Sequence, residues 1–258
     1  MKITVLAENT SKTGLPCEHG LSLYIETGND VILFDMGQTD LFSQNAAVLG
    51  CSLDKVSLAV ISHGHYDHGG GLGTFLKANG HAPVYISKYA FGPHYNASDK
   101  YIGLDISLKD NERLIPCEGT TVIGQGLTLY SCSDRKKLID MGCSGLQEMK
   151  NGQLVPDEFR HEHYLLIEEN GRRVLISGCS HRGIINIMEW FRPDVLVGGF
   201  HFMKMSVGET LATYAAKLDS YSTTYYTCHC TGTEQYEFMS LSMKRLNYIS
   251  TGDSFTIN

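Results

Sequence analysis

Short apolar blocks separated by turn residues set the rhythm of the chain. KITVLA (residues 2–7) and LSLYIET (21–27) read as strands, and DVILFDMG (30–37) and VSLAVIS (56–62) are apolar runs of the kind found in buried strands. The first quarter of the chain therefore predicts a β-meander. From Leu72 the period changes: Leu72, Phe75 and Leu76 recur at helical spacing until ANG stops the helix, and APVYIS (82–87) returns to strand character. Strands follow at TTVIGQGLTLYSC, HYLLIEEN, RRVLISGC, DVLVGGF and TTYYTCHCTG, with helices at NIMEWF and GETLATYAAKLDSY. This strand and helix alternation predicts an α/β chain.

Residues 88–113, KYAFGPHYNASDKYIGLDISLKDNER, interrupt that regularity with tyrosine, glycine and polar residues. The segment reads as an excursion, either a lid that contacts substrate or a solvated connection. No linker, repeat or low-complexity tract divides the chain, which predicts one domain over residues 1–258.

Composition narrows the partners. The formal charge is −7 and the longest basic run is RKK (135–137), so the chain has little electrostatic reason to bind long nucleic acid. No apolar run approaches the length of a membrane span, and MKITVLAENT lacks the features of a secretion signal. Cytoplasmic residence is the expectation, with the eight cysteines as free thiols and a small molecule as the partner.

The chemistry concentrates in SHGHYDHGGGL (62–72), directly after a buried strand. Its glycines release the backbone into a loop, which places His63, His65, Asp67 and His68 at a strand's C-terminal edge, where α/β sites collect. Side chains two apart in extended backbone point the same way, so His63 and His65 can grip one cation while Asp67 and His68 reach a second. Imidazole suits zinc and iron, and a nearby carboxylate can orient or deprotonate water.

SHGHYDH resembles the H-x-H-x-D-H signature of the metallo-β-lactamase superfamily. LFDMGQ before it, and GCSHRGIINI, GGFH and HCTG after it, resemble the branch of 7,8-dihydropterin-6-methyl-4-(β-D-ribofuranosyl)aminobenzene-5'-phosphate synthase-like proteins. The superfamily resemblance implies a four-layer αββα sandwich with metals at one edge, and His63, His65, Asp67 and His68 match the family's loop ligands position by position. It implies zinc, one or two ions, with iron or manganese as alternatives. The histidine at 65, where a glutamate would suggest a diiron redox site, favours hydrolysis.

One position departs from the family. Many relatives end the strand after the loop in Gly-Asp, whose aspartate bridges two metals, whereas RRVLISGCSH ends in Gly178-Cys179. His181 is the favoured replacement ligand and Cys179 the weaker candidate. His229, in the place of the relatives' last ligand, completes the expected set: His63, His65 and His181 around one ion, Asp67, His68 and His229 around the other. His161 and His163 are read as structural or surface residues.

Asp67 and His201 are the expected catalytic residues, Asp67 accepting a proton from the attacking water and His201 serving as a proton donor to the leaving group, a substrate clamp or a further ligand. Glu8, Asn9 and His19, with Glu18, are candidates from early loops for contact with substrate or for supporting the ligands from behind. The functional expectation is a metal-dependent hydrolase, with a dinuclear site if both ligand sets fill, that uses a metal-bound hydroxide on a small phosphorylated or ester substrate. The branch resemblance implies an alternative, a synthase condensing a pterin pyrophosphate with an aminobenzene ribofuranosyl phosphate, and Tyr89, Phe91, Tyr95 and Tyr101 could stack on its flat ring. A noncatalytic metal-containing binding protein is the third reading.

Overall fold

A computed structural model of residues 1–258 places two seven-stranded sheets face to face. The first runs in the order Ser254–Thr256, Lys2–Ala7, Ser22–Glu26, Val31–Phe34, Leu58–Val60, Val84–Ser87 and Leu114–Cys117. The second runs Leu246–Tyr248, Thr224–Thr227, Val195–Val197, Arg172–Ser177, Tyr164–Glu169, Leu127–Tyr130 and Thr120–Gly124. Apolar side chains from both sheets, among them Phe34, Val60, Leu165 and Ile176, meet in one fully buried layer. The opposite face of the first sheet carries helices Leu41–Leu49 and Leu72–Ala78, packed through Phe42 and Phe75. That of the second carries Ile184–Phe191, Glu209–Asp219 and Thr233–Ser240, packed through Ile187, Leu211 and Met239. Each sheet thus buries both faces, which gives the four-layer αββα sandwich expected from the motif.

The meander holds for its first three strands, which pair antiparallel in succession. The fourth corrects the expectation: Leu58–Val60 pairs parallel to Val31–Phe34, after a crossover through helix Leu41–Leu49. Its buried positions are Phe42, Asn45 and Ala46, and the Asn45 amide donates to the carbonyls of Leu6 and Pro16. A scan for apolar residues passes over a helix that buries a satisfied asparagine.

Within the excursion, His94–Tyr95 forms the edge of a small sheet with Gln147–Lys150 and Gln153–Pro156. No helix is long and apolar enough to cross a membrane. The parallel strands Arg172–Ser177, Val195–Val197 and Thr224–Thr227 end at one edge of the second sheet, and the loops that follow them carry Cys179 and His181, His201, and His229. Leu58–Val60 delivers the loop 62–68 to the same edge from the first sheet, so the cluster forms across the seam between the sheets.

Candidate metal centre

The hydrogen bonds behind each imidazole determine what its free nitrogen can do. His68 Nδ1 lies 2.6 Å from Asp35 Oδ2, and an imidazole facing a carboxylate donates, so His68 Nε2 is left as a lone pair. Ser62 Oγ donates to the same Asp35 oxygen at 2.7 Å and accepts from His63 Nδ1 at 2.8 Å, which leaves His63 Nε2 bare as well. Asn9 Oδ1 accepts from the backbone N–H of Gly20 and from His229 Nδ1 at 2.8 Å, freeing His229 Nε2. These are the carboxylate, hydroxyl and amide partners that fix ligand tautomers at metal sites.

The freed nitrogens converge. His68 Nε2 and His229 Nε2 stand 3.2 Å apart, and in the neutral rings each proton sits on the far nitrogen. A cation belongs between two such lone pairs: in the metal-free chain a proton on His68, whose pKa Asp35 and Asp67 raise, or a metal ion that displaces it. His63 Nε2 is 3.2 Å from His181 Nε2, and the second nitrogen of His181 is buried without a partner. Asp67 Oδ2 reaches His229 Nε2 at 3.3 Å and His68 Nε2 at 3.8 Å. Cys179 Sγ, 3.2 Å from His68 Nε2, belongs both to the group of His63 and His181 and to that of His68 and His229. The donor set of imidazole, carboxylate and thiol fits a divalent transition metal.

Electrostatics point the same way. Burial holds the His63 and His181 imidazoles well below the usual histidine pKa, and therefore neutral. Burial also pulls on His68, but the charges of Asp35 and Asp67 more than offset it and its pKa rises. Asp67 stays ionised despite burial because His68, His19 and His229 surround it. Burial raises the Cys179 thiol well above its ordinary value, so a thiolate there needs a cation beside it.

The expected residues divide among several roles. His63, Asp67, His68, His181 and His229 come together as grouped, but His65 does not join His63 and His181 in one set of ligand atoms. Its Nε2 is shut away from solvent, and the residue groups with His94, Asp157 and His161. Cys179, taken as the weaker candidate, sits between both groups. His161 and His163 are not surface residues, since each is 1% exposed. His201 lines the cavity above the cluster, its ring 4.4 Å from that of His181, and His19 lines it with Nε2 3.3 Å from Asp67 Oδ2.

The early loops mostly support the cluster and do not face a substrate. Glu8 is fully buried, accepts from the His229 backbone N–H at 2.6 Å and from the Tyr248 hydroxyl at 2.8 Å, and does not line the cavity. Asn9 is occupied by His229 and Gly20, and Glu18 accepts from Gln38 N, Thr39 N and the Thr39 hydroxyl. Of the two roles open to them, substrate contact or support of a ligand, Glu8 and Asn9 take the support of His229. The aromatics of the excursion also lie elsewhere: Tyr95 and Tyr101 pack edge to face on each other, and it is Asn96 and Ile102 that line the cavity.

Three supports escaped the sequence reading. Asp35, at the end of VILFD, binds both Ser62 and His68. Glu162, between His161 and His163, accepts from the backbone N–H groups of His181 and Arg182 at 2.7 and 3.0 Å and holds the loop that presents His181. The third is the group formed by His94, Asp157 and His161. The acidic residue at a buried strand's end was the one available signal, in LFDMG.

His163 gives a pH prediction that is separate from the cluster. Burial, then the neighbouring His161, pushes its pKa down to about 4. The unfolded chain takes up this proton near pH 6.5 while the folded chain resists it, so the contribution is intact above about 6.5 and is lost as pH falls toward 4. The loss amounts to about 3 kcal/mol at most, from ~1.4 kcal/mol per pKa unit. In chelator-treated protein, the urea midpoint should therefore fall across this window less steeply for His163→Leu than for the parent chain; parallel profiles would contradict the assignment.

A layered αββα sandwich carrying a histidine, aspartate and cysteine cluster on the shared edge of its sheets is the architecture of the metallo-β-lactamase fold. The sequence pattern of the Metallo-beta-lactamase superfamily matches residues 15–221, and the chain belongs to that superfamily. It is 30% identical over 219 residues to the uncharacterized protein MJ0448 of Methanocaldococcus jannaschii, covering 79% of this chain and 80% of that protein. It is 26% identical to the 7,8-dihydropterin-6-methyl-4-(beta-D-ribofuranosyl)-aminobenzene-5'-phosphate synthase of the same organism, over 90% of this chain and 88% of that one. The crystal structure of Tm1679, described as a metal-dependent hydrolase of the beta-lactamase superfamily, superposes with a TM-score of 0.81 at 28% identity, over 100% of this chain and 99% of the other.

Proposed function

We propose that the chain is a metal-dependent hydrolase of a small anionic substrate, a phosphate ester or a related ester. The observation that carries this reading is the convergence of imidazole nitrogens from His63, His68, His181 and His229 with Asp67 and Cys179 at the floor of a cavity of about 200 Å³. His63 and His181 would hold one ion, Asp67, His68 and His229 a second, with Cys179 between them. Such a metal, when bound, supplies Lewis acidity and lowers the pKa of a water to about 7.

The chain's own residues supply orientation. Asp67, ionised and bonded to His19, accepts a hydrogen bond from a water on the cavity floor and orients it; its low proton affinity makes it a poor proton store. His201 has its pKa pushed down to about 4 by burial and by the charge of Lys204. Near pH 7 it is a neutral imidazole, suited to donating a hydrogen bond to the leaving group or the substrate and not to delivering a proton as a cation. Lys204 is the one lysine lining the cavity, and no arginine lines it, so it marks the side on which a substrate anion sits.

Metal content of the purified protein, followed by turnover of phosphomonoesters, phosphodiesters, lactones and thioesters, tests the reading; metal-replete protein inert across the panel defeats it. Lys204→Ala should raise KM for phosphorylated substrates by about 10-fold with kcat little changed, consistent with loss of one exposed charged hydrogen bond. An equal effect on neutral lactones would remove Lys204 from anion recognition. The synthase relative supports a second reading, a condensation releasing pyrophosphate. Pyrophosphate release that requires both a pterin pyrophosphate and an aromatic amine selects it.

A further inference from the structure

Behind the ligand loop lies a buried group that the converging nitrogens do not use: His94, Asp157 and His161, each at most 5% exposed. Its bonding can be read from one end. The backbone N–H of Gly64, between His63 and His65, donates to His161 Nδ1 at 2.9 Å. A backbone nitrogen can only donate, so His161 Nδ1 is a lone pair and the neutral ring carries its proton on Nε2. That proton goes to Asp157 Oδ2 at 3.2 Å, and the same oxygen accepts from His94 Nδ1 at 2.9 Å. Asp157 Oδ1 accepts from the Phe159 N–H at 2.6 Å, which fixes the carboxylate in place.

This leaves His94 Nε2 as a lone pair, buried and without a partner. His65 Nε2 is also buried and without a partner, and the two rings stand edge to face with centroids 5.6 Å apart. Each orphan has what the other lacks, since His65 can carry its proton on Nε2 and His94 has a lone pair to accept it. His65 meanwhile lines the cavity above the cluster beside His181, their centroids 5.0 Å apart.

We propose that His94 and Asp157 are positioning residues for His65: His94 accepts a hydrogen bond from His65 Nε2 and thereby turns the bare Nδ1 of His65 toward the cation held with His63 and His181. His161 anchors the same network to the ligand loop through Gly64. No hydrogen bond joins the two Nε2 atoms in the structure, and closing that gap is the movement required of His65. The inference rests on the metal reading above. The four residues also satisfy the spacing of a cation cage, with ligand atoms within 4.8 Å of one another. In a cage, however, His161 Nε2 would have to lose its proton to Nδ1 and break the bond from Gly64.

Cobalt(II) titration of the chelator-treated chain, followed by its visible absorption, separates these outcomes. His94→Phe and Asp157→Asn should weaken cobalt binding by about 10- to 100-fold and shift the absorption bands, the range found when a partner behind a ligating histidine is removed. His94→Gln, whose amide oxygen can accept from His65, should recover part of the affinity and the parent spectrum. Unchanged affinity and spectrum in all three variants overturns the proposal, as does equal impairment of His94→Gln and His94→Phe, which is the mark of a packing role. Loss of one whole equivalent of cobalt, with the remaining affinity intact, overturns it in favour of a separate cation site. A parent chain that binds no cobalt defeats the metal reading and this inference together.

Discussion

His68→Ala is expected to remove one equivalent of metal and to lower turnover by about 100-fold or more, with little change in the far-UV signature of the fold. Its Nε2 faces His229, Asp67 and Cys179 at once, so truncation empties the middle of the cluster. It also strands Asp35, a fully buried carboxylate that keeps only its bonds to Ser62. An uncompensated buried charge costs several kcal/mol, so the metal-free variant should melt below the parent as well. Asp67→Ala should match it in metal content but not in melting temperature, because Asp67 lies at the cavity and its removal leaves no buried charge behind. The measurements are elemental analysis and a thermal melt; parent-like stoichiometry and rate in both variants would end the two-ion description.

The second large effect separates His181 from Cys179. On the two-ion arrangement proposed above, His181→Ala should abolish binding at the ion it shares with His63 and spare the other, leaving one transition where the parent is expected to give two. Cys179→Ala should weaken both transitions by on the order of 10-fold and delete neither, because its sulfur belongs to both groups. Calorimetric titration with zinc reads the difference directly. If Cys179→Ala instead deletes one transition and leaves the other untouched, the thiol is a ligand of a single ion and does not lie between two.

How much of this was legible beforehand follows from how the residues are distributed along the chain. His63, Asp67 and His68 lie within six positions behind an apolar strand, and the motif declares itself. His181 and His229 follow glycine and cysteine turns at strand ends, where the resemblance to relatives located them. Asp35, Glu162 and Asp157 act through the backbone or through another side chain, and nothing in their local spacing records which histidine they will meet. His161 and His163 alternate in a short polar stretch whose pattern leaves structural and surface roles open, and tertiary packing buries both. The helix at Leu41–Leu49 was hidden by a similar cause, a polar residue made acceptable inside by two carbonyls from other segments.

The cluster draws residues 63–68 from the end of one sheet and 179–229 from loops at the end of the other. A bound cation is therefore a cross-link over a long stretch of chain, and its affinity adds to the cohesion of the two halves. At a free metal concentration 100 times the dissociation constant, a single site contributes about 2.7 kcal/mol, a sizeable share of a typical domain's 5–15 kcal/mol. Starvation for metal would then act on abundance as well as on rate: the seam opens more often, unfolded chains multiply, and proteases remove the copies that failed to load.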